Sequence, residues 1–402
     1  MQLITPFRYR SLPWTILYLS MVIPSTLLIR LPWYSLKYLL PAGRPRKSWP
    51  FSRALIVSVI RVFCYAIYDT GFQFTTTDPT IAPKDWEKKG WVSVPPASGA
   101  IQGEILELAR KNKIDTENSI SGYWFGERGA DGKAGQPAAE GEKVVLYFHS
   151  GGYVMGTATD GLATAVVSGL LSIDVLFTRV FSLEYHVAKA APWDPAAPWP
   201  TQLIEGVAGF SYLVSIGFKP HNILLCGDSS GGHMAFAVGH YLVKHPETAL
   251  GSPGGLLLLS PTMDFTVSSD GPDSSFEKNQ ATDGLAAIFQ SQYTVSSLRG
   301  EMSAEEFAAD PLCSPGALSA TIPKGFFTGM PKTFIHGCDG ELALDSVVTF
   351  RDRMWEDNDK KQVQYVETAN VTHDLLATPW QEPERRELLG DIEVWLQNFE
   401  AS

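Results

Sequence analysis

The sequence predicts an α/β fold with a mostly parallel central sheet, helices on both faces and a helical cap. Three observations predict it. From about Trp91 onward, short apolar runs alternate with helix-like stretches, the pattern that lays down parallel strands through crossover connections. The runs Val144–Phe148 and Ile223–Cys226 are continuously apolar, as expected of strands covered on both faces. The second run passes through Gly227-Asp-Ser-Ser-Gly231 directly into the helix-like His233–Lys244, so a strand turns abruptly into a helix.

The head of the chain is different in kind. Residues 1–68 hold nine Lys/Arg and no Asp or Glu, so all 43 acidic residues lie beyond them. Ser11–Ile29 is uncharged for 19 residues, long enough to cross a bilayer, although Pro13 and Pro24 weaken it as a helix and Arg30 is expected to end it. With Lys and Arg mostly on its C-terminal side, the body would face the cytosol, as in an endoplasmic-reticulum anchor. Alternatively, residues 11–68 cap a pocket in a cytoplasmic protein. The aromatic stretch Leu31–Tyr38 would suit a membrane interface, and Ala54–Tyr68 reads as a second helix packed on protein. We divide the chain into this segment (1–68), an α/β domain (90–400) and a lid inserted within it (261–329).

The strands follow in order at Trp91–Val94, Tyr123–Phe125, Lys143–Phe148, Asp174–Val180, Asn222–Cys226, Leu256–Ser260, Lys332–Ile335 and Gln362–Val366. A Gly/Ala-rich loop fills Gly129–Gly141. The stretch from Pro261 to Gly329 is too long for a simple connection, hence the lid. The net charge of −11 argues against nucleic acid as a partner. Cys64, Cys226, Cys313 and Cys338 are scattered without metal spacing and read as buried thiols. With no zinc spacing and no phosphate-cradling lysine loop, neither metal nor organic cofactor is expected.

Two turns carry the chemistry. Gly227-Asp-Ser229-Ser-Gly231 is G-x-S-x-G between strand and helix, which exposes the Ser229 hydroxyl on a tight elbow and points the N–H groups of a helix start at it. His149-Ser-Gly-Gly-Tyr153 follows the strand Val144–Phe148. Paired glycines there can aim successive N–H groups at one point, as stabilising an oxyanion requires.

In these two motifs the chain resembles the hormone-sensitive-lipase-like branch of the α/β-hydrolases, whose signatures H-G-G-G and G-D-S-A-G-G read here H-S-G-G and G-D-S-S-G-G. The resemblance covers roughly residues 90–400. It implies the α/β-hydrolase fold and a serine esterase with Ser229 as nucleophile and Gly151, Gly152 and Ser230 as oxyanion N–H donors. Ser150 and Ser230 replace a glycine and an alanine, and a backbone N–H survives either change. The basic Arg44–Trp49 is similar to fungal members, a weaker match.

The family order is nucleophile, acid, histidine. His373, in the loop after the last strand-like run, fits the general base. His149 belongs to the oxyanion turn and His233 and His240 to the helix after the elbow, while His186, His221, His245 and His336 have no triad placement. Two acids remain open. The family's D-P-x-x-D spacing implies Glu341, with Asp345 four residues on; Asp339 is the alternative. Asp310-Pro311 precedes the strand and reads as a lid turn. Asp228 reads as structural, Glu184 through Pro200 as scaffold, and the sequon at Asn370 as unused beside His373.

The expected function is therefore a serine carboxylesterase, deacetylating a small-to-medium hydrophobic ester in fungal secondary metabolism or detoxification. An amidase, a condensation or cyclisation enzyme on the same scaffold, and a non-catalytic receptor are the alternatives.

Overall fold

The computed structural model describes residues 1–72, 78–173, 177–269 and 271–397. Among the described residues, eight strands form one sheet: β1 (Trp91–Val94), β2 (Ile120–Gly126), β3 (Lys143–Phe148), β4 (Phe177–Glu184), β5 (Ile223–Asp228), β6 (Gly255–Leu259), β7 (Lys332–Cys338) and β8 (Val363–Thr368). Their order is β1-β2-β4-β3-β5-β6-β7-β8. The β1–β2 and β2–β4 pairs are antiparallel and the rest parallel. Every strand expected from sequence is present. The first part of the expected Asp174–Val180 strand, residues 174–176, lies outside the described residues.

Side-chain alternation explains why the central strands read as unbroken apolar runs. Val144, Leu146, Phe148, Ile223, Leu225, Leu256 and Leu258 face the helices Thr201–Ser215 and Ser230–Lys244. Val145, Tyr147, Leu224, Cys226, Leu257 and Leu259 face the helices Gly161–Ser172 and Glu384–Gln397. Both faces are dry, and each fully buried Leu or Val contributes about 1.5–3 kcal/mol. The four cysteines are buried and unpaired.

The path of the chain places the site. From β3 it moves to one side to form β4, then crosses back to lay β5 on the other side of β3. The carboxyl ends of β3 and β5 thus border the crevice where strand order reverses, the favoured ligand position in open α/β sheets.

Around this body the N-terminal segment departs from expectation. The helix does not end at Arg30: Trp14–Ser25 runs through a π-helical stretch, Thr26–Arg30, into Leu31–Leu39. Pro24, which cannot donate an N–H, lies just before the π-helical stretch, and the register shift lets the helix continue rather than break. No part of its most apolar window is buried. The second helix, Phe51–Thr70, does pack on protein: Tyr65 donates to Gln290 (2.6 Å) and Arg61 to the Gln280 carbonyl (2.9 Å). Short helices within residues 261–329, among them Ala286–Gln290 and Tyr293–Leu298, lie between it and the crevice.

Candidate active site

The elbow is built by steric necessity. Ser229 stands at φ 53°, ψ −120°, a conformation that non-glycine residues rarely adopt. Its N–H donates to the Leu259 carbonyl (2.9 Å), and its own carbonyl accepts from Thr262 N–H (3.0 Å) and His233 N–H (3.2 Å), which hold it there. A Cβ on Gly227 would collide with the Gly231 backbone, and one on Gly231 with the Phe148 and His149 carbonyls. Both motif glycines are therefore required by close approach.

Across the crevice, Gly151 and Gly152 have φ of 118° and 61°. Among the described residues, the N–H groups of Gly151, Gly152 and Ser230 donate to no other protein group. Ser230 does more than supply an N–H: its Oγ accepts from Tyr153 N–H (3.3 Å), tying the elbow to the glycine turn. His149 is neutral scaffold, stacked on Tyr185 with ring centroids 4.1 Å apart, and burial pushes it down to about 4. Burial also holds His233 and His240 at about 4 and His336 at about 3, so none of these is placed as a base.

The carboxylate left open by sequence separates clearly in space. Glu341 is fully buried, and its Oε2 lies 2.6 Å from His373 Nδ1 while Oε1 accepts from Cys338 N–H (2.9 Å). Asp339, the alternative, is turned away: its Oδ1 pairs with Arg46 (2.5 Å) and accepts from Asn370 N–H (2.8 Å). Asp310 caps a turn through Leu312 and Cys313 N–H, distant from His373 in role and contact. Asp228 accepts from Tyr147 OH (2.5 Å), and burial raises it to about 6.

Ser229, His373, Gly151 and Gly152 line one cavity of about 120 Å³. Its remaining wall is mostly carbon from Met155, Phe265, Leu285, Ile288, Phe289 and Val295, the last five of them from residues 261–329. Ser229 Oγ lies 3.2 Å from Thr262 Oγ1, a contact sequence reading missed because Thr262 carries no motif. His373 Nε2 has no hydrogen-bond partner among the described residues, although the Asp374 carboxyl stands 3.4 Å away. Burial works to lower the His373 pKa, but Asp374, then Glu341 and Asp283, outweigh it and raise it to about 10.

The basic N-terminal residues also hold the site, which charge alone did not suggest. Arg46 donates to the Asp339 carbonyl (2.8 Å) besides pairing with its carboxylate. Trp49 Nε1 (2.7 Å) and Arg53 (2.6 Å) both donate to the Asn370 carbonyl, and Arg53 forks onto Glu384. Ser48 donates to the Asn370 side chain (2.5 Å). Arg8 and Arg44 are likewise spent on Asp69 and on backbone carbonyls. Arg8, Arg44, Arg46, Arg53 and Arg61 thus make contacts within the protein rather than forming a free cationic surface. Asn279 completes the support by donating to the Asp339 and Glu341 carbonyls.

Residues 145–377, more than half of the chain, match the family of the alpha/beta hydrolase fold, Abhydrolase_3. The chain belongs to the alpha/beta hydrolases. An esterase of Acinetobacter venetianus is 27% identical over 267 residues, which cover 66% of this hydrolase and 78% of the relative. The esterase LipU of Mycobacterium tuberculosis is 24% identical over 214 residues, covering 52% and 62%. Among solved structures, an esterase/lipase from an uncultured bacterium superposes with a TM-score of 0.54 at 23% identity, over 70% of this hydrolase and 82% of that chain. Family and relatives place the hydrolase among carboxylic ester hydrolases.

Proposed function

We propose that this hydrolase cleaves short-chain esters of hydrophobic alcohols through Ser229, His373 and Glu341. The observation that carries the reading is the 2.6 Å approach of a fully buried Glu341 to His373 Nδ1, on a cavity shared with Ser229 and two positive-φ glycines. In this reading the neutral imidazole keeps its proton on Nδ1 beside Glu341, and Nε2 then takes the Ser229 proton as Oγ attacks the ester carbonyl. The N–H groups of Gly151, Gly152 and Ser230 hold the resulting oxyanion. Nε2 then protonates the departing alkoxide, and water enters by the same route to release the acyl group. Ser229 Oγ must first turn from Thr262 toward Nε2.

A cavity of about 120 Å³ suits a small acyl group such as acetyl, close in size to a site that holds one benzene. Deacetylation of a hydrophobic metabolite fits both this size and the carbon walls. The likeness of Arg44–Trp49 to fungal members is the support for secondary metabolism or detoxification as its setting. The exposed apolar helix Trp14–Leu39 is long enough to cross a bilayer, and it supports attachment to a membrane in which such substrates dissolve.

The test is kcat/KM over 4-nitrophenyl esters from acetate to decanoate, with matched anilides alongside. The reading expects the maximum at two to four carbons and anilides slower by orders of magnitude. A maximum at long acyl chains, or equal rates on anilides, would contradict it. Flotation of the full-length protein with phosphatidylcholine vesicles tests the membrane reading, which fails if the protein stays in the dense fraction.

A further inference from the structure

We infer that Asp374 is a specificity-determining residue that accepts a hydrogen bond from a hydroxyl on the alcohol half of the substrate, on the carbon next to the ester oxygen. The inference rests on the esterase reading above. It starts from an anomaly: a carboxyl nine-tenths buried whose Oδ1 has no hydrogen-bond partner among the described residues. Among the described residues no Lys or Arg pairs with it; its ion pair is with His373, and the carboxyl groups of Asp228, Glu341 and Asp283 also act on it. Buried polar atoms are nearly always satisfied, and one that is not calls for a ligand or a function.

The backbone aims this carboxyl deliberately. Asp374 N–H donates to Ser260 Oγ (3.3 Å), and its carbonyl accepts from Thr378 Oγ1 (2.9 Å) and Ala377 N–H (3.1 Å). At φ 56° the side chain comes to the Nε2 side of the imidazole, with Oδ2 3.4 Å from Nε2. That is the side from which the leaving oxygen must receive its proton. Asp374 and His373 also line a second cavity of about 120 Å³, walled by Val57, Ile60 and Trp380. The oxyanion glycines line the first cavity and not the second, and in this inference the second takes the alcohol side of the scissile bond.

Chemistry then narrows the ligand. A leaving oxygen within hydrogen-bond distance of Nε2 brings an oxygen on the adjacent carbon within reach of a carboxyl 3.4 Å from the same nitrogen. An acceptor oxygen is present whether or not Asp374 is protonated. A hydroxyl brings one donor to the one orphan oxygen. An ammonium would bring three to a wall that is otherwise mostly carbon, leaving buried donors unmet. The substrate class is therefore a monoester of a hydrophobic vicinal diol.

The experiment compares kcat/KM of the full-length protein on cis-2-hydroxycyclohexyl acetate, cyclohexyl acetate and cis-2-methoxycyclohexyl acetate. The methoxy ester keeps the electron-withdrawing oxygen but has no donor, so it separates recognition from leaving-group activation. Wild type should favour the hydroxy ester over both others by about tenfold or more. Asp374→Gly, which accepts the positive φ, should bring the ratio near one. Asp374→Asn tolerates the same φ, keeps an acceptor and should give an intermediate ratio; it carries the comparison if the glycine variant does not fold. Equal rates on the three esters in wild type, or an unchanged ratio in both variants, would overturn the inference. If wild type turns over none of these esters and no 4-nitrophenyl acetate, the esterase reading itself falls.

Discussion

Replacing Glu341 by Gln changes one oxygen to a nitrogen, and the surroundings dictate which way the new amide must face. Oε1 accepts the Cys338 N–H at 2.9 Å, so that position needs an oxygen. The amide nitrogen is then turned toward His373 Nδ1, where the carboxylate oxygen stood at 2.6 Å. Two donors cannot face each other in a fully buried site, so Nδ1 must become the acceptor and Nε2 must carry the ring proton. An imidazole in that tautomer cannot accept the Ser229 proton. The corresponding change in a Ser-His-Asp protease costs about 10⁴ in kcat, and a loss of about 10³–10⁴ is expected here. The assay is steady-state hydrolysis of 4-nitrophenyl acetate, with circular dichroism to verify the fold. Asp339→Asn, measured in parallel, should stay within about tenfold of wild type, because Asp339 contacts Arg46 and Asn370 and not the imidazole. A Glu341→Gln enzyme retaining a tenth of wild-type activity, or an Asp339→Asn enzyme losing more, would refute the assignment of the acid.

Three further predictions concern the surroundings. Arg53→Met keeps the stem but removes a fork onto Glu384 and a bond to the Asn370 carbonyl; it should cost about 2 kcal/mol in urea unfolding, and less than tenfold in kcat while Trp49 still holds that carbonyl. An unchanged unfolding midpoint would count against the clamp. Since attack needs neutral imidazole and Asp374 helps keep His373 protonated, the acid limb of kcat/KM should move to lower pH in Asp374→Asn, by about one unit or more. A limb that stays or rises would show that the carboxyl does not act on the ring. Gly231→Ala forces a methyl into the Phe148 and His149 carbonyls and should abolish soluble, active protein; a folded, active variant would mean the elbow is looser than described.

Legibility in the sequence follows the range of the interactions involved. The sheet could be read because burial on both faces turns β3, β5 and β6 into continuous apolar runs. The elbow could be read because its steric constraint joins Gly227 to Gly231, only four residues apart. The acid could not be settled that way. Glu341 and Asp339 share one short loop, and what divides them is Arg46 and Asn370 on one side and His373 on the other. The contacts of the N-terminal arginines could not be read for the same reason, since their partners lie up to 331 residues away. Thr262 and Asp374 belong to no motif, and only the cavity they share with Ser229 gives them a role to test. Arg30 looked like a helix stop because a lone charge ends an apolar run, yet the π-helical register carries the chain past it.

If Ser229 is the one activated hydroxyl, covalent labelling will single it out. The full-length protein would be treated with a fluorophosphonate and its mass and labelled peptide determined, beside Ser229→Ala. A single adduct is expected, on Ser229 and absent from the variant; an adduct on another residue, or one that persists in Ser229→Ala, would rule out Ser229 as the nucleophile.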